Sequence, residues 1–153
     1  MFKNRNRGRK GKNTSMENMY ELIAPCHFGL ESVLKREILD LGYEIVTVED
    51  GRITFRGDVT AIARANIFIR TAERILLKMG SFRATDFDEL FEGTKAIPWE
   101  EFLPRDAKFW VTKANSVSSK LFSPSDIQKI VKKAMVEKLK QTYHTDWFEE
   151  TGA

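Results

Sequence analysis

The chain has 153 residues, 42% of them hydrophobic, which is enough for one domain with a core or for two small domains. No apolar run approaches the ~18–20 residues of a membrane-spanning helix, so no membrane segment is expected. The net charge is only +3, and Cys26 is the single cysteine, which excludes an internal disulfide and favours a reducing, cytoplasmic compartment.

The positive charge is concentrated at the N-terminus. Residues 1–12 contain six lysines and arginines and no acid, so the rest of the chain is mildly acidic. Because a basic segment with few apolar residues cannot bury a core, residues 1–18 are predicted to be a disordered tail. Two interpretations stay open: attraction to nucleic-acid phosphates, or a solubilising extension without function.

Residues 19–83 predict six elements in the order strand, helix, strand, strand, helix, strand. They are Met19–Pro25, Phe28–Leu41, Tyr43–Val48, Arg52–Arg56, a helix capped by Asp58, and Leu77–Phe82. Gly42 suits the end of the first helix, and Asp50-Gly51 predicts a tight hairpin. The second helix is predicted to bury Ile62, Ala65, Ile69, Ala72 and Leu76, and to carry Arg70 and Arg74 one turn apart. This order predicts an α+β, ferredoxin-like domain.

Residues 84–153 predict a second unit with several helices and one strand. Thr85 or Asp86 caps a short helix that turns Phe87, Leu90 and Phe91 inward and ends at Gly93. A second short helix (PWEEFL) starts at Pro98, Lys108–Ala114 is a predicted strand, and Asn115–Phe122 is a polar loop. Ser123 and Pro124 begin a long helix that runs to about Tyr143. Since one strand cannot form a sheet, it pairs with the first domain or with strands beyond residue 153, and the second explanation is preferred.

Catalytic patterns are largely absent from the sequence. The only histidines are His27 and His144, no zinc-ligand spacing occurs, and no glycine-rich turn joins a strand to a helix. Cys26 and His27 are adjacent, but chain neighbours rarely converge on one reacting atom. The sequence therefore predicts no catalytic or metal-binding residue in this chain.

The long helix offers a basic face. Lys129, Lys132, Lys133 and Lys140 group on a side away from its apolar residues, and the loop before it is rich in lysine and serine. A helix N-terminus attracts phosphate, because its free N–H groups and dipole are positive. This pattern suits contacts to an RNA backbone, but an ordinary solvated lysine face explains it as well.

Several segments together resemble one family. They are ELIAPCHFGLESVLKREI (21–38), TAERILL (71–77), FDELFEG (87–93), AIPWEEFL (96–103) and SPSDIQKIVKKAMVEKL (123–139). The set resembles the N-terminal region of bacterial THUMP-domain RNA methyltransferases, of the type that methylates the exocyclic N2 of guanine in 23S ribosomal RNA. The resemblance covers roughly residues 19–153 and leaves out the basic tail.

The resemblance implies a ferredoxin-like domain at 19–83 and a THUMP domain at 84–153 that is incomplete at its C-terminus. It implies RNA, ribosomal RNA in particular, as the partner. It also implies S-adenosylmethionine as the cofactor of a methyltransferase domain that this chain lacks. No cofactor residue is therefore assigned. The RNA-binding residues it implies lie in the loop and long helix: Lys113, Asn115, Ser119, Lys120, Ser123, Gln128, Lys129, Lys132 and Lys133.

An alternative function remains open from the sequence. A ferredoxin-like platform followed by an unfinished unit also suits a self-contained interaction module that forms a homodimer by strand addition.

Overall fold

The computed structural model describes residues 19–145 and Phe148. The tail predicted for residues 1–18 lies outside this described part. The chain divides into two compact units between Lys78 and Met79, and each is described by itself. None of the helices in the described part has the length and apolar composition needed to cross a bilayer.

The first unit is a four-stranded antiparallel sheet with two helices, and it confirms the predicted ferredoxin-like fold. Its elements are β1 (Tyr20–Pro25), α1 (Glu31–Asp40), β2 (Glu44–Glu49), β3 (Arg52–Gly57), α2 (Val59–Phe68) and β4 (Leu76–Leu77). The strand order is β2-β3-β1-β4, so the two central strands are the first and third in the chain. The predicted hairpin is also confirmed, since Glu49 pairs with Arg52 across Asp50-Gly51.

The core of this unit follows from strand alternation. Leu22 and Ala24 of β1 pair with Phe55 and Ile53 of β3, and all four side chains are fully buried. The helices cover them with Leu34, Ile38, Ala61 and Ala65. Burial of each large aliphatic or aromatic side chain stabilises the fold by about 1.5–3 kcal/mol.

Helix α1 begins three residues later than the predicted start at Phe28, whose side chain is 83% exposed. Gly29 has a φ of +90°, which interrupts the helical backbone. The Glu31 carboxylate accepts hydrogen bonds from the N–H groups of Gly29 (2.8 Å) and Gly51 (2.9 Å), so it joins the start of α1 to the β2–β3 turn. At the other end, Gly42 has a φ of +88°, as its predicted role as a C-terminal glycine requires.

Helix α2 begins as predicted but ends earlier. The Asp58 carboxylate accepts a hydrogen bond from the Ala61 N–H at 2.8 Å, which confirms the cap. The helix ends at Phe68, so the predicted positions of Arg70 and Arg74, one turn apart on it, are wrong. The reason lies in α1, where the Glu37 carboxylate accepts hydrogen bonds from the Arg70 and Thr71 N–H groups and from the Thr71 hydroxyl.

The last residues that were predicted to be buried on α2 pair with the sheet instead. Ala72 forms a bridge with Cys26, and Leu76 and Leu77 form β4 beside Ile23 and Leu22. The prediction that β4 covers Leu77–Phe82 is therefore wrong at both ends. From Met79 onward the chain belongs to the second unit, where Phe82 packs against Gly93.

The second unit is built around one long helix. It contains α3 (Phe87–Lys95), one 3₁₀ turn (Trp99–Glu101) and α4 (Pro124–Tyr143). The predicted caps at Asp86 and Ser123 are confirmed, because their side chains accept hydrogen bonds from the N–H groups of Glu89 and Asp126. Its core consists of Phe109, Met135, Leu139 and Phe148, with Trp99, Leu103 and Tyr143 packed against them.

Gly93 does not end α3, which continues to Lys95. A Cβ atom at Gly93 would lie 2.4 Å from two ring carbons of Phe82 and 2.9 Å from its Cγ. The glycine therefore serves close packing, because only a residue without a side chain lets this ring lie on the helix backbone.

The segment Lys108–Ala114, predicted to be a strand, pairs in a sheet with no residue of the described part of the chain, and its preferred pairing with strands beyond residue 153 stays a prediction. Packing and a side-chain contact from α4 help to hold the segment. Phe109 is buried in the core of the second unit, and the Gln128 side-chain amide donates a hydrogen bond to the Val111 carbonyl at 3.0 Å.

A Gly93→Ala substitution is expected to lower the stability of the second unit. In an open helix position this change adds about 1 kcal/mol of stability, whereas crowding a packed site costs about 1–3 kcal/mol. Thermal unfolding measures the change. In a Phe82→Ala background, where the ring is absent, the same substitution is expected to stabilise the protein. A gain in melting temperature in the unmodified background would contradict the packing role of Gly93.

A Glu31→Gln substitution is expected to destabilise the first unit at pH 7 and to have no effect at low pH. The hydrogen bond from the Gly51 N–H is the main reason that the pKa of Glu31 lies below its usual value. A lowered folded-state pKa gives stability above the unfolded pKa of about 4.3, and this stability is lost as the pH falls through the folded value. Melting temperatures from pH 7 to pH 3 measure it, with Asp40→Asn on the same helix as a control. A constant difference between Glu31→Gln and the unmodified protein over this range would contradict the carboxylate's role.

Candidate nucleic-acid interface

The N-terminus of α4 forms one end of the candidate interface. Ser123 has an extended backbone, its hydroxyl accepts a hydrogen bond from the Asp126 N–H at 3.4 Å, and Pro124 occupies the first helical turn. The remaining N–H groups of this first turn and the helix dipole make this end positive.

The loop before α4 is anchored at one residue and exposed elsewhere. Leu121 is buried, and its backbone is held on both sides: the Ser116 hydroxyl donates to its carbonyl, and its N–H donates to the Ser119 hydroxyl at 3.1 Å. The other predicted loop residues, Lys113, Asn115 and Lys120, are exposed. The structure thus brings the predicted loop residues to the surface, with Ser119 also closing the loop.

The predicted helix residues have different surroundings. Lys129 is exposed, with its Nζ 3.7 Å from the Asp126 carboxylate, and Lys133 is exposed with its Nζ 5.9 Å from the centre of the Phe91 ring. Lys132 is half-buried. Gln128 is half-buried and donates to the Val111 carbonyl, so its amide group helps to hold the Lys108–Ala114 segment in place.

Helix α3 contributes residues that the sequence analysis did not assign to the site. Phe87 was predicted to point inward, but it is 38% exposed and lines a cavity of about 250 Å³ together with Asp126, Lys129 and Ile130 of α4. The Lys95 Nζ lies 5.7 Å from the centre of the Phe91 ring. Phe87, Phe91 and Lys95 recur every four residues on one face of α3, but this spacing alone does not show that the face is exposed beside α4.

Two apolar residues of the loop were also missed. Val117 and Phe122 are each 84% exposed, although they lie in a segment that was predicted to be polar. An exposed aromatic ring beside lysines and serines is typical of surfaces on which nucleic-acid bases stack.

The side chains that most often carry catalysis or bind metal ions are placed as follows in the described part of the chain. The described residues contain no group of three or more His, Cys, Asp or Glu side chains that could hold a metal ion. Burial is the main cause that raises the pKa of the Cys26 thiol, which keeps it protonated and unreactive at neutral pH. His27 is exposed, with its Nε2 3.8 Å from a Glu73 carboxylate oxygen.

Two cavities described among these residues are smaller than a site for S-adenosylmethionine, the cofactor that the resemblance implies, would be. The cavity beside Phe87 measures about 250 Å³ and a polar one beside Asn66 and Arg74 about 90 Å³. Sites for ligands of drug-like size measure roughly 300–1,000 Å³. No cofactor-binding residue is assigned in this chain.

Comparison with known proteins identifies both halves of the chain. Residues 21–76 match the model of the RlmL ferredoxin-like domain, and residues 84–152 match the model of the THUMP domain. The chain is 52% identical over 136 residues to "Putative RNA methyltransferase YpsC" of Bacillus subtilis strain 168, and it covers 35% of that protein. It is 28% identical over 89 residues to the "Ribosomal RNA large subunit methyltransferase K/L" of Marinomonas sp. strain MWYL1, covering 58% of this chain and 12% of that protein.

A solved structure agrees with these matches. The structure titled "SMU.472, a putative methyltransferase complexed with SAH" superposes with a TM-score of 0.81 and 41% identity, covering 86% of this chain and 34% of that one. The chain thus spans about a third or less of the length of these relatives. The chain therefore contains an RlmL-type ferredoxin-like domain followed by a THUMP domain.

Proposed function

We propose that this chain holds RNA for a methyltransferase active site formed by a part of the protein outside these 153 residues. The observation that carries the proposal is the exposed ridge of α4. Lys129 and Lys133 lie one turn apart on it, and the exposed loop lysines Lys113 and Lys120 precede its N-terminus in the same THUMP domain.

The chemistry of this surface suits an RNA backbone. Lysine ammonium groups and the free N–H groups at a helix N-terminus neutralise phosphates without reading the base sequence. Such contacts position a nucleic acid, and a separate active site then selects the atom that is modified.

The finer assignment follows from the resemblance and from the names of the relatives. We propose large-subunit ribosomal RNA as the substrate, the exocyclic N2 of a guanine as the methylated atom, and the cytoplasm as the compartment. The methyl donor is S-adenosylmethionine. A methyltransferase with this ribosomal substrate in its name is among the relatives, and SMU.472 was solved with SAH.

Removing the ridge charges is expected to weaken RNA binding and its dependence on salt. For single strands, each lost phosphate contact lowers the slope of log K against log salt concentration by roughly 0.7. The double variant Lys129→Gln with Lys133→Gln should therefore lower the slope by about 1.4 if each lysine contacts one phosphate. Fluorescence anisotropy with a labelled fragment of 23S ribosomal RNA measures it at several salt concentrations.

The matched control is Lys35→Gln with Arg36→Gln, which removes the same charge from exposed positions of α1. Equal losses in the two double variants would mean a non-specific charge effect and would contradict the α4 ridge as the interface. Failure of the unmodified chain to bind RNA at all would overturn the proposed function.

This chain alone is expected to show no measurable binding of S-adenosylmethionine, because the proposed function assigns the cofactor site to a part of the protein outside these 153 residues. Isothermal titration calorimetry tests this, with the longer Bacillus subtilis relative titrated in parallel as the control. Micromolar affinity in the 153-residue chain would contradict the proposed separation of RNA holding from cofactor binding.

A further inference from the structure

The segment 107–125 in the second unit is the longest stretch of the sequence without an acidic residue. It contains three lysines, Lys108, Lys113 and Lys120, and all three are exposed. Because lysines gathered without acids between them give a surface positive potential, this segment attracts anionic partners.

Within this segment, Phe122 presents an aromatic ring to solvent, since its side chain is 84% exposed. Leu121, the residue before it, is buried, and hydrogen bonds with the hydroxyls of Ser116 and Ser119 hold its backbone on both sides. Ser123, the residue after it, is the cap of α4. Both neighbours of Phe122 are therefore fixed by the fold, and the ring between them is directed to the surface.

Exposure by itself does not identify a ligand, because isolated apolar side chains are ordinary on protein surfaces. The charge around Phe122 narrows the choice. Lys120 is exposed two residues before it, and no acid precedes Asp126, so an anionic partner is favoured. Single-stranded nucleic acid suits both features, since its phosphates are anionic and its unpaired bases have flat faces that stack on aromatic rings. In a duplex, neighbouring bases cover these faces.

An acidic membrane also combines negative charge with an apolar interior. Proteins that lie on a membrane surface usually bury the apolar face of an amphipathic helix. The loop at 115–122 instead exposes two large apolar side chains, Val117 and Phe122, among polar residues. RNA is therefore the favoured partner.

We propose that Phe122 stacks on an unpaired base of the bound RNA, so that the THUMP domain of this chain binds single-stranded RNA in preference to a duplex. This inference rests on the proposed RNA-binding function and adds the structural class of its substrate. A phenylalanine ring has no hydrogen-bonding group, so the contact accepts any base. Lys113 and Lys120 attract the backbone, which is also independent of base sequence.

The first experiment removes the bases and leaves the phosphates in place. A short oligoadenylate is compared with an abasic strand of the same length, which carries the same charge but cannot stack. We expect the unmodified chain to bind the oligoadenylate at least 5 to 150 times more tightly in fluorescence anisotropy, a range of about one stacked base.

The second experiment removes the ring from the protein. Phe122→Leu keeps an apolar side chain, so it should weaken oligoadenylate binding by a factor of about 5 to 150 without changing the salt slope. Its binding to the abasic strand, and to the duplex of oligoadenylate with oligouridylate, should equal that of the unmodified chain. Phe122→Trp keeps a ring and should retain the affinity.

The matched control is Val117→Ala, which truncates an equally exposed apolar side chain of the same loop. It should leave the binding of all three nucleic acids unchanged, because valine offers no ring on which a base can stack. Circular dichroism melts of each variant check that the fold is intact.

The outcomes distinguish the stacking inference from the proposed function. If RNA binds with the expected salt slope but Phe122→Leu binds oligoadenylate as tightly as the unmodified chain, the inference is overturned and the proposed function stands. Equal losses for oligoadenylate and the abasic strand, or an equal loss in Val117→Ala, also overturn the inference, since stacking would not explain them. Binding to phosphatidylserine vesicles that needs Phe122, with unchanged RNA binding, would overturn it in favour of a membrane. If no RNA binds at all, the proposed function fails and the inference fails with it.

Discussion

The burial of one face of α4 is the constraint on which the candidate interface depends. Ala134, Met135 and Leu139 are buried against the core of the second unit, and this fixes the rotation of the helix about its axis. Because residues 3.6 apart complete a turn, that rotation places Lys129 and Lys133 at the surface beside α3. The Tyr143 hydroxyl fixes the far end of the helix through the carbonyls of Glu100 and Leu103. Lys129 and Lys133 project from a helix whose rotation is fixed by its buried face. They therefore suit the proposed role of holding RNA in a defined position.

The first unit depends on a different kind of interaction. Side-chain carboxylates accept hydrogen bonds from the backbone where the pairing between strands is short. Strand β4 has only two residues, so the sheet by itself holds the end of the domain weakly. Glu31 and Glu37, both on α1, accept backbone N–H groups from the hairpin turn and from the segment after α2. Each removes the cost of an unsatisfied donor and ties a loop to a helix. One helix therefore organises both ends of the ferredoxin-like domain.

Positive charge and apolar surface lie side by side in the candidate interface. The α4 ridge and the loop before it offer positive charge, which in the proposed function binds RNA phosphates without sequence preference. Beside the ridge, the Phe87 ring of α3 lines a cavity together with Ile130 of α4. In the same proposal, the choice of the modified atom belongs to a methyltransferase domain outside these 153 residues.

The sequence by itself determined the elements whose signals are local: the caps at Asp58, Asp86 and Ser123, the Asp50-Gly51 hairpin, and the ferredoxin-like order of elements. Only the tertiary structure decided where α2 ends and why Gly93 is a glycine. Those outcomes depend on Glu37 and Phe82, which act from distant positions in the chain or from another element. The candidate site was likewise predictable from the sequence only in part. The lysines of α4 followed from helical spacing, but the exposure of Phe87 depended on how α3 packs against α4, and no periodicity within one helix encodes that packing.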